Sequence, residues 1–118
     1  MRLDTNNKNK GYLAGRVLAI IEKAQKDSVS VNLTIRDRYW SSVSISPQRT
    51  IPILMRLSNC YLGDKPYLNK MLSEILENVD DWPKILSIEE QGMFALGYYH
   101  QNTALYTKKE NKEKEMEE

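Results

Sequence analysis

The chain has 118 residues, and a chain of this size buries roughly two-thirds of the surface it exposes when unfolded, so one core fits and two do not. Lys and Arg total 17 against 16 Asp and Glu, a net charge of +1. That balance excludes a histone-like polycation and an acidic solvating tail, but it does not exclude a local basic face. With 41% apolar and 28% charged residues the composition is that of a globular domain. No apolar run approaches the ~20 residues that cross a bilayer. Residues 1–10 are polar and Asn-rich, so no secretory signal is expected there. One cysteine, Cys60, forms neither an internal disulfide nor a Cys-based zinc site, and one histidine, His100, disfavours most His-dependent chemistry. A reducing, cytoplasmic setting without a membrane partner is expected.

Few Gly and Pro residues, placed where helix punctuation belongs, favour an all-α fold. The spacing predicts a first helix from Lys10 or Gly11 to Lys26, with Leu13, Val17, Ile20, Ile21 and Ala24 on one stripe. Gly15 interrupts it at a cost of about 1 kcal/mol relative to Ala, which a close helix crossing would explain. Residues 27–31 form a link. Asn32 or Thr34 can cap a second helix through Arg36, Tyr39 and Trp40, fraying over 41–46, although the alternation in 28–35 also suits a short strand. Ser46-Pro47 starts a third helix running to Leu62, with Ile51, Leu54, Met55, Tyr61 and Leu62 apolar, Pro52 awkward inside it and Gly63 as its stop.

Asp64 should cap the fourth helix, with Pro66 near its start and Leu68, Leu72, Ile75, Leu76 and Val79 as its stripe, ending at Asp80-Asp81-Trp82-Pro83. Ser87 and Glu90 form a capping box for a fifth helix, with Ile88, Gly92, Ala95, Leu96, Tyr99 and Thr103 on one side and small residues inviting a close neighbour. Residues 108–118 are charged without an apolar stripe and should be a frayed extension or disordered. The expected architecture is a compact all-α bundle of about five helices over 10–107, between a polar segment 1–9 and a charged tail 108–118. Without the tail the balance is +2, since the tail carries four Lys and five Glu.

No catalytic constellation emerges. Nothing in the spacing joins Cys60 to His100, and Cys60 is expected to be a small buried residue. Asp80-Asp81 sit in a turn, and Glu89-Glu90 in a first helical turn where negative charge is favourable. No metal-ligand spacing and no phosphate-cradling glycine loop occurs, so neither enzyme activity, cofactor, metal nor small-molecule substrate is expected. The cations are more suggestive. Arg16 and Lys23 are seven residues apart and off the first apolar stripe; Arg36 and Arg38 flank Asp37 ahead of Tyr39-Trp40; Arg49 and Arg56 are again seven apart. A bundle showing several of these on one side could track a phosphate backbone, although solvated arginines are ordinary and Asp37 can pair with either neighbour. The aromatics, among them Tyr12, Trp82 and Phe94, belong to core or interface, with base stacking open to one or two. Tyr98 and Tyr99 are consecutive, so both cannot face the same core.

Three strings carry a family resemblance: YLAGRVLAIIEKAQKDSV (12–29), TIRDRYWSSVSISP (34–47) and LSIEEQGMFALGYYHQ (86–101). Together with Pro52-Ile53-Leu54-Met55-Arg56-Leu57 and Lys108-Lys109-Glu110, the chain resembles, over about 10–109, the C-terminal region of the large subunit of the type I-C CRISPR-associated Cascade complex. That region is also made on its own, by internal translation, as the small subunit, and a chain opening at Met1 just before the first motif looks like that product. The charged tail beyond Lys109 is a departure that the motif does not require.

The resemblance implies a non-catalytic helical subunit, present in more than one copy beside the large and backbone subunits and the crRNA. There it would help hold the displaced DNA strand and the target-strand backbone of an R-loop. Guide pairing would read the sequence, and cleavage would belong to a recruited helicase-nuclease. Arg16, Arg36 and Arg38 fall in the matching motifs. The candidate nucleic-acid contacts are Arg16, Lys23, Arg36, Arg38, Arg49 and Arg56. The alternative is a purely structural subunit whose arginines make protein–protein salt bridges.

Overall fold

The computed structural model describes residues 2–30 and 32–117, with side chains as far as residue 107. The described residues form five helices and no strand: α1 (Lys10–Ser28), α2 (Ile35–Ile45), α3 (Pro47–Leu62), α4 (Pro66–Glu77) and α5 (Ile88–Glu117). The all-α bundle is as expected, and the strand alternative over 28–35 is not: α1 continues to Ser28 and α2 starts at Ile35. The backbone of α5 continues into the charged tail, but the expectation that 108–118 frays or is disordered falls outside the residues described with side chains.

Helix α1 is the axis of the bundle and packs against each of the other four helices. Instead of one buried stripe, every residue from Gly11 to Gln25 is buried. Val17, Leu18, Ile20 and Ile21 are fully enclosed, each contributing about 1.5–3 kcal/mol of transfer free energy. Enclosure forces the polar residues of α1 to find partners, because an unpaired buried polar group is costly. Arg16 Nε donates to Gln101 Oε1 at 2.8 Å. Glu22 accepts hydrogen bonds from the Tyr98 hydroxyl and, at 2.8 Å, from Thr34 Oγ1. Gln25 Oε1 accepts from the Ile35 N–H at 2.8 Å, satisfying a first-turn donor of α2. These bonds tie the first helix to the second and the fifth.

The α1–α5 crossing depends on glycine. A Cβ on Gly15 would lie 2.1 Å from the Phe94 carbonyl oxygen, one on Gly97 2.1 Å from the Tyr12 carbonyl oxygen, and one on Gly11 2.0 Å from the Glu90 carbonyl oxygen. Backbone therefore meets backbone along this contact, which accounts for Gly15 inside a helix. The face that α5 turns to α1 carries Phe94, Gly97, Tyr98, Gln101 and Leu105, all buried. The face expected to seat a neighbour is the outer one: Ile88, Gly92, Leu96, Tyr99 and Thr103 are exposed, and nothing lies within 4 Å of a Cβ built on Gly92.

Helix starts follow the expected chemistry in part. Asn9 Oδ1 accepts from the Gly11 and Tyr12 amides and caps α1. Thr34, not Asn32, caps α2 in a full capping box with Asp37. Ser46 both ends α2 and precedes α3, but its hydroxyl makes no capping bond and is buried without a partner. Lys65 occupies the position before α4, and Asp64 pairs with Lys65 at 3.2 Å instead of capping. Helix α3 runs unbroken through Pro52, which lies on its exposed side with Gln48, the residue whose carbonyl loses its usual partner. Ser87 and Glu90 exchange the two expected bonds at 3.1 Å each. The loop before them is pinned to the α2–α3 corner: the Gln48 N–H donates to the Pro83 carbonyl and the Leu86 N–H to the Ile45 carbonyl.

Candidate nucleic-acid interface

The six basic residues singled out by sequence separate into two groups. Arg16 and Lys23 lie off the apolar stripe as expected, but α1 is enclosed, so they are not on a solvated face. Arg16 is 9% exposed, is held by Gln101, and lines a small cleft with Lys8, Leu13, Glu74 and Asn78. Burial pulls its guanidinium below the ordinary arginine value, against the opposing pull of Tyr12, Glu74 and Asp4. Lys23 is 3% exposed; it pairs with Asp27 at 2.7 Å and lies 4.9 Å over the Tyr106 ring. Both residues are spent on joining helices.

Arg38, Arg49 and Arg56 are exposed, and none of them pairs with a described acidic residue. Arg49 and Arg56 share the outer face of α3 with Ile53, Leu57 and Cys60, all exposed. Cys60 is thus at the surface, not buried as expected; its thiol is turned onto the Leu57 carbonyl at 3.2 Å. His100 hydrogen-bonds through Nδ1 to the Tyr12 hydroxyl at 2.9 Å, and that hydroxyl accepts from the Asp4 N–H at 2.9 Å.

Arg36 has the most elaborate setting. The α2 capping box fixes the first turn of that helix, and the side chain then lies across the aromatic residues that α2 and α5 bring together. Its guanidinium carbon is 5.2 Å from both the Trp40 and Tyr98 rings, and Nη2 donates to the Tyr99 hydroxyl at 3.2 Å. Nη1 stands 3.8 Å from Asp37 Oδ1, while Nε is buried without an acceptor. Partial burial works against the charge of Arg36, but Tyr98, Tyr99 and Glu22 outweigh it, so its proton is held more firmly than usual. Trp40 packs edge-to-face on Phe94 and Tyr98, with centroids 4.8 and 5.1 Å apart. Burial and the bond to Glu22 push the Tyr98 phenol well up.

Of the two consecutive tyrosines, Tyr98 is buried and Tyr99 is 43% exposed, the division their spacing requires. Sequence reasoning placed Tyr99 on the right stripe of α5 and gave that stripe the wrong neighbour. The signal for the buried face was the run Phe94, Tyr98, Gln101, Leu105 with Gly97 among them.

Among the described residues no group of His, Cys, Asp and Glu is gathered to hold a metal ion, and no helix is long and apolar enough to cross a membrane. The geometry offers exposed arginines on α2 and α3 and an arginine–aromatic depression between α2 and α5.

No curated protein matches the chain. A family model described as "CRISPR-associated protein (Cas_Csd1)" matches residues 1–106. That span includes all six basic candidates, the capping boxes and the glycine crossing, and on it the chain belongs to the Cas_Csd1 family of CRISPR-associated proteins.

Proposed function

We propose that this protein is a non-catalytic small subunit of a type I-C CRISPR RNA-guided complex, working in the cytoplasm beside the large and backbone subunits and a second copy of itself. It stabilises the R-loop by sequence-independent contacts to the DNA backbone. The observation that carries this reading is the group Arg38, Arg49 and Arg56, exposed and unpaired with described acids, in a family of CRISPR-associated proteins. Phosphate contacts by such side chains release counterions and need no base readout. Arg36 adds a fourth, partly exposed cation; Arg16 and Lys23 contribute through the fold.

The test is charge reversal of Arg38, Arg49 and Arg56 together, read as target-duplex binding by the assembled complex from low to high salt. The expected result is weaker binding at low salt, with the slope of log affinity against log salt reduced by up to about 3, since each lost phosphate contact removes roughly 0.9. Unchanged R-loop formation at every salt concentration would overturn the mechanism. The purely structural reading draws on the outer face of α5, where Ile88 is 89% and Leu96 45% exposed. It expects the reversed complex to lose this subunit instead of losing DNA.

A further inference from the structure

We infer that the depression between α2 and α5 takes one unpaired nucleobase of a single strand, stacked on the exposed ring of Tyr99 beside Trp40, with Arg36 against the adjoining phosphate. The inference rests on the nucleic-acid reading above and narrows it from a backbone to an unpaired strand.

The space is about 340 Å³, lined by Arg36, Asp37, Trp40 and Tyr99, at the small end of ligand pockets. Its aromatic wall is already ordered. Tyr99 is braced by Tyr98 edge-on at 5.1 Å and by Trp40 tilted at 6.1 Å, and its hydroxyl is held by Arg36. Stacking a base on it orders little that was free. Arg36 is fixed by two rings and one hydroxyl, yet its side chain stays 36% exposed, leaving N–H groups for a phosphate oxygen.

Asp37 decides between a base and a bare anion. One of its oxygens is engaged by Thr34, and the other faces Arg36 from 3.8 Å. A carboxylate in the pocket repels a phosphate seated deeply, but it accepts from an N–H on the edge of a base, which every base including thymine carries, and this leaves the phosphate at the Arg36 rim. A duplex hides its base faces between neighbouring pairs, whereas a single strand offers them to aromatic rings in a way that tolerates any sequence.

Fluorescence anisotropy of the full chain tests this with a labelled thymidine strand, a duplex of the same length, and the same strand made abasic. Wild type should prefer the base-bearing strand. Tyr99→Leu should weaken that binding by about tenfold, with the salt slope unchanged because no charge is removed. Tyr99→Phe, which keeps the ring, should retain most of the affinity. On the abasic strand wild type and Tyr99→Leu should bind alike.

Equal losses on both strands, or no loss on the base-bearing strand by a variant with unchanged Tm, would overturn the inference while leaving salt-dependent DNA binding intact. A wild-type chain that binds no strand at any salt concentration would overturn the nucleic-acid reading and this inference with it. A Tyr99→Leu chain that binds the strand normally but dissociates from the CRISPR complex would make the patch a protein contact and overturn the inference.

Discussion

The same substitution at two glycines of this bundle should have opposite signs. At Gly15 a methyl group would sit 2.1 Å from the Phe94 carbonyl oxygen and 2.6 Å from the Tyr98 amide nitrogen. Both are helix backbone, which no rotamer change can move aside, so α1 and α5 must separate by about 1 Å. A gap of that size forfeits a quarter to a half of each dispersion contact along the interface, and overpacking of a tight core costs about 1–3 kcal/mol. Taking the upper end, because this contact also aligns Arg16 with Gln101 and Glu22 with Tyr98, and subtracting about 1 kcal/mol of helix propensity gained by alanine, the net loss is about 2 kcal/mol. At Gly92 nothing lies within 4 Å, so only the propensity gain remains, about 1 kcal/mol of stabilisation. At about 4 °C per kcal/mol for a domain of this size, thermal unfolding should show Gly15→Ala about 8 °C below wild type and Gly92→Ala about 4 °C above it. A Gly15→Ala variant as stable as Gly92→Ala would refute the backbone-on-backbone crossing.

Three further outcomes concern polar side chains, two of them buried and one, Asp37, exposed. Arg16→Ala leaves the buried Gln101 amide without its partner and should cost about 2 kcal/mol in urea unfolding, whereas Arg49→Ala on the exposed face of α3 should stay within about 0.5 kcal/mol; equal costs would contradict the division of the arginines into structural and surface groups. Glu22→Ala strands the buried Tyr98 hydroxyl, while that of Thr34 can turn to Asp37 at 3.1 Å, and should destabilise by about 2 kcal/mol, with Glu22→Gln intermediate because the amide still offers one acceptor. For pH, the Thr34 amide donates to Asp37, with the Thr34 hydroxyl shared between Glu22 and Asp37, and this holds the Asp37 carboxyl below the ordinary 3.8. A depressed folded-state value means the capping box is stabilising above the unfolded value and loses that contribution as pH falls through the folded one. Circular dichroism from about pH 5 to about pH 2 should therefore show a shallower acid loss for Asp37→Asn than for wild type, and identical profiles would show that the box is not the acid-sensitive element.

Much of the fold was readable from residue pattern because local rules and packing agree at the start of α2, in the apolar stripe of α4 and at the start of α5, although α2 runs regularly to Ile45 where fraying over 41–46 was expected and Asp64 does not cap α4. Thr34 with Asp37 and Ser87 with Glu90 are pairs whose geometry is set within four residues. What the pattern could not supply was what lies on the other side of a helix. Arg16 and Lys23 have the spacing of a solvated face, and they are buried because four helices surround α1. In α5 two stripes compete, one with Ile88, Leu96 and Tyr99 and one with Phe94, Tyr98 and Leu105. Gly97 decides between them, because only its side lets the α1 backbone come close. The Arg36 cluster was half legible: the Arg-Asp-Arg-Tyr-Trp run drew attention, but its partners Tyr98 and Tyr99 are more than 60 residues away, as in the Arg36–Tyr99 bond with a separation of 63.

The enclosure of α1 also sets a clock for synthesis. Its bonds to α5 span 85 residues between Arg16 and Gln101 and 76 between Glu22 and Tyr98, long separations for a helical protein, in which contacts are usually local and folding fast. At about 5–20 residues per second, between about 4 and 16 seconds pass from the emergence of Gly15 to that of Gly97. Throughout that interval α2, α3 and α4 can begin to cover the first helix, but the part of it that α5 closes stays open. The nascent chain must shelter that side of α1 until α5 arrives, and a fragment ending before α5 should lose the cooperative thermal unfolding of the full chain.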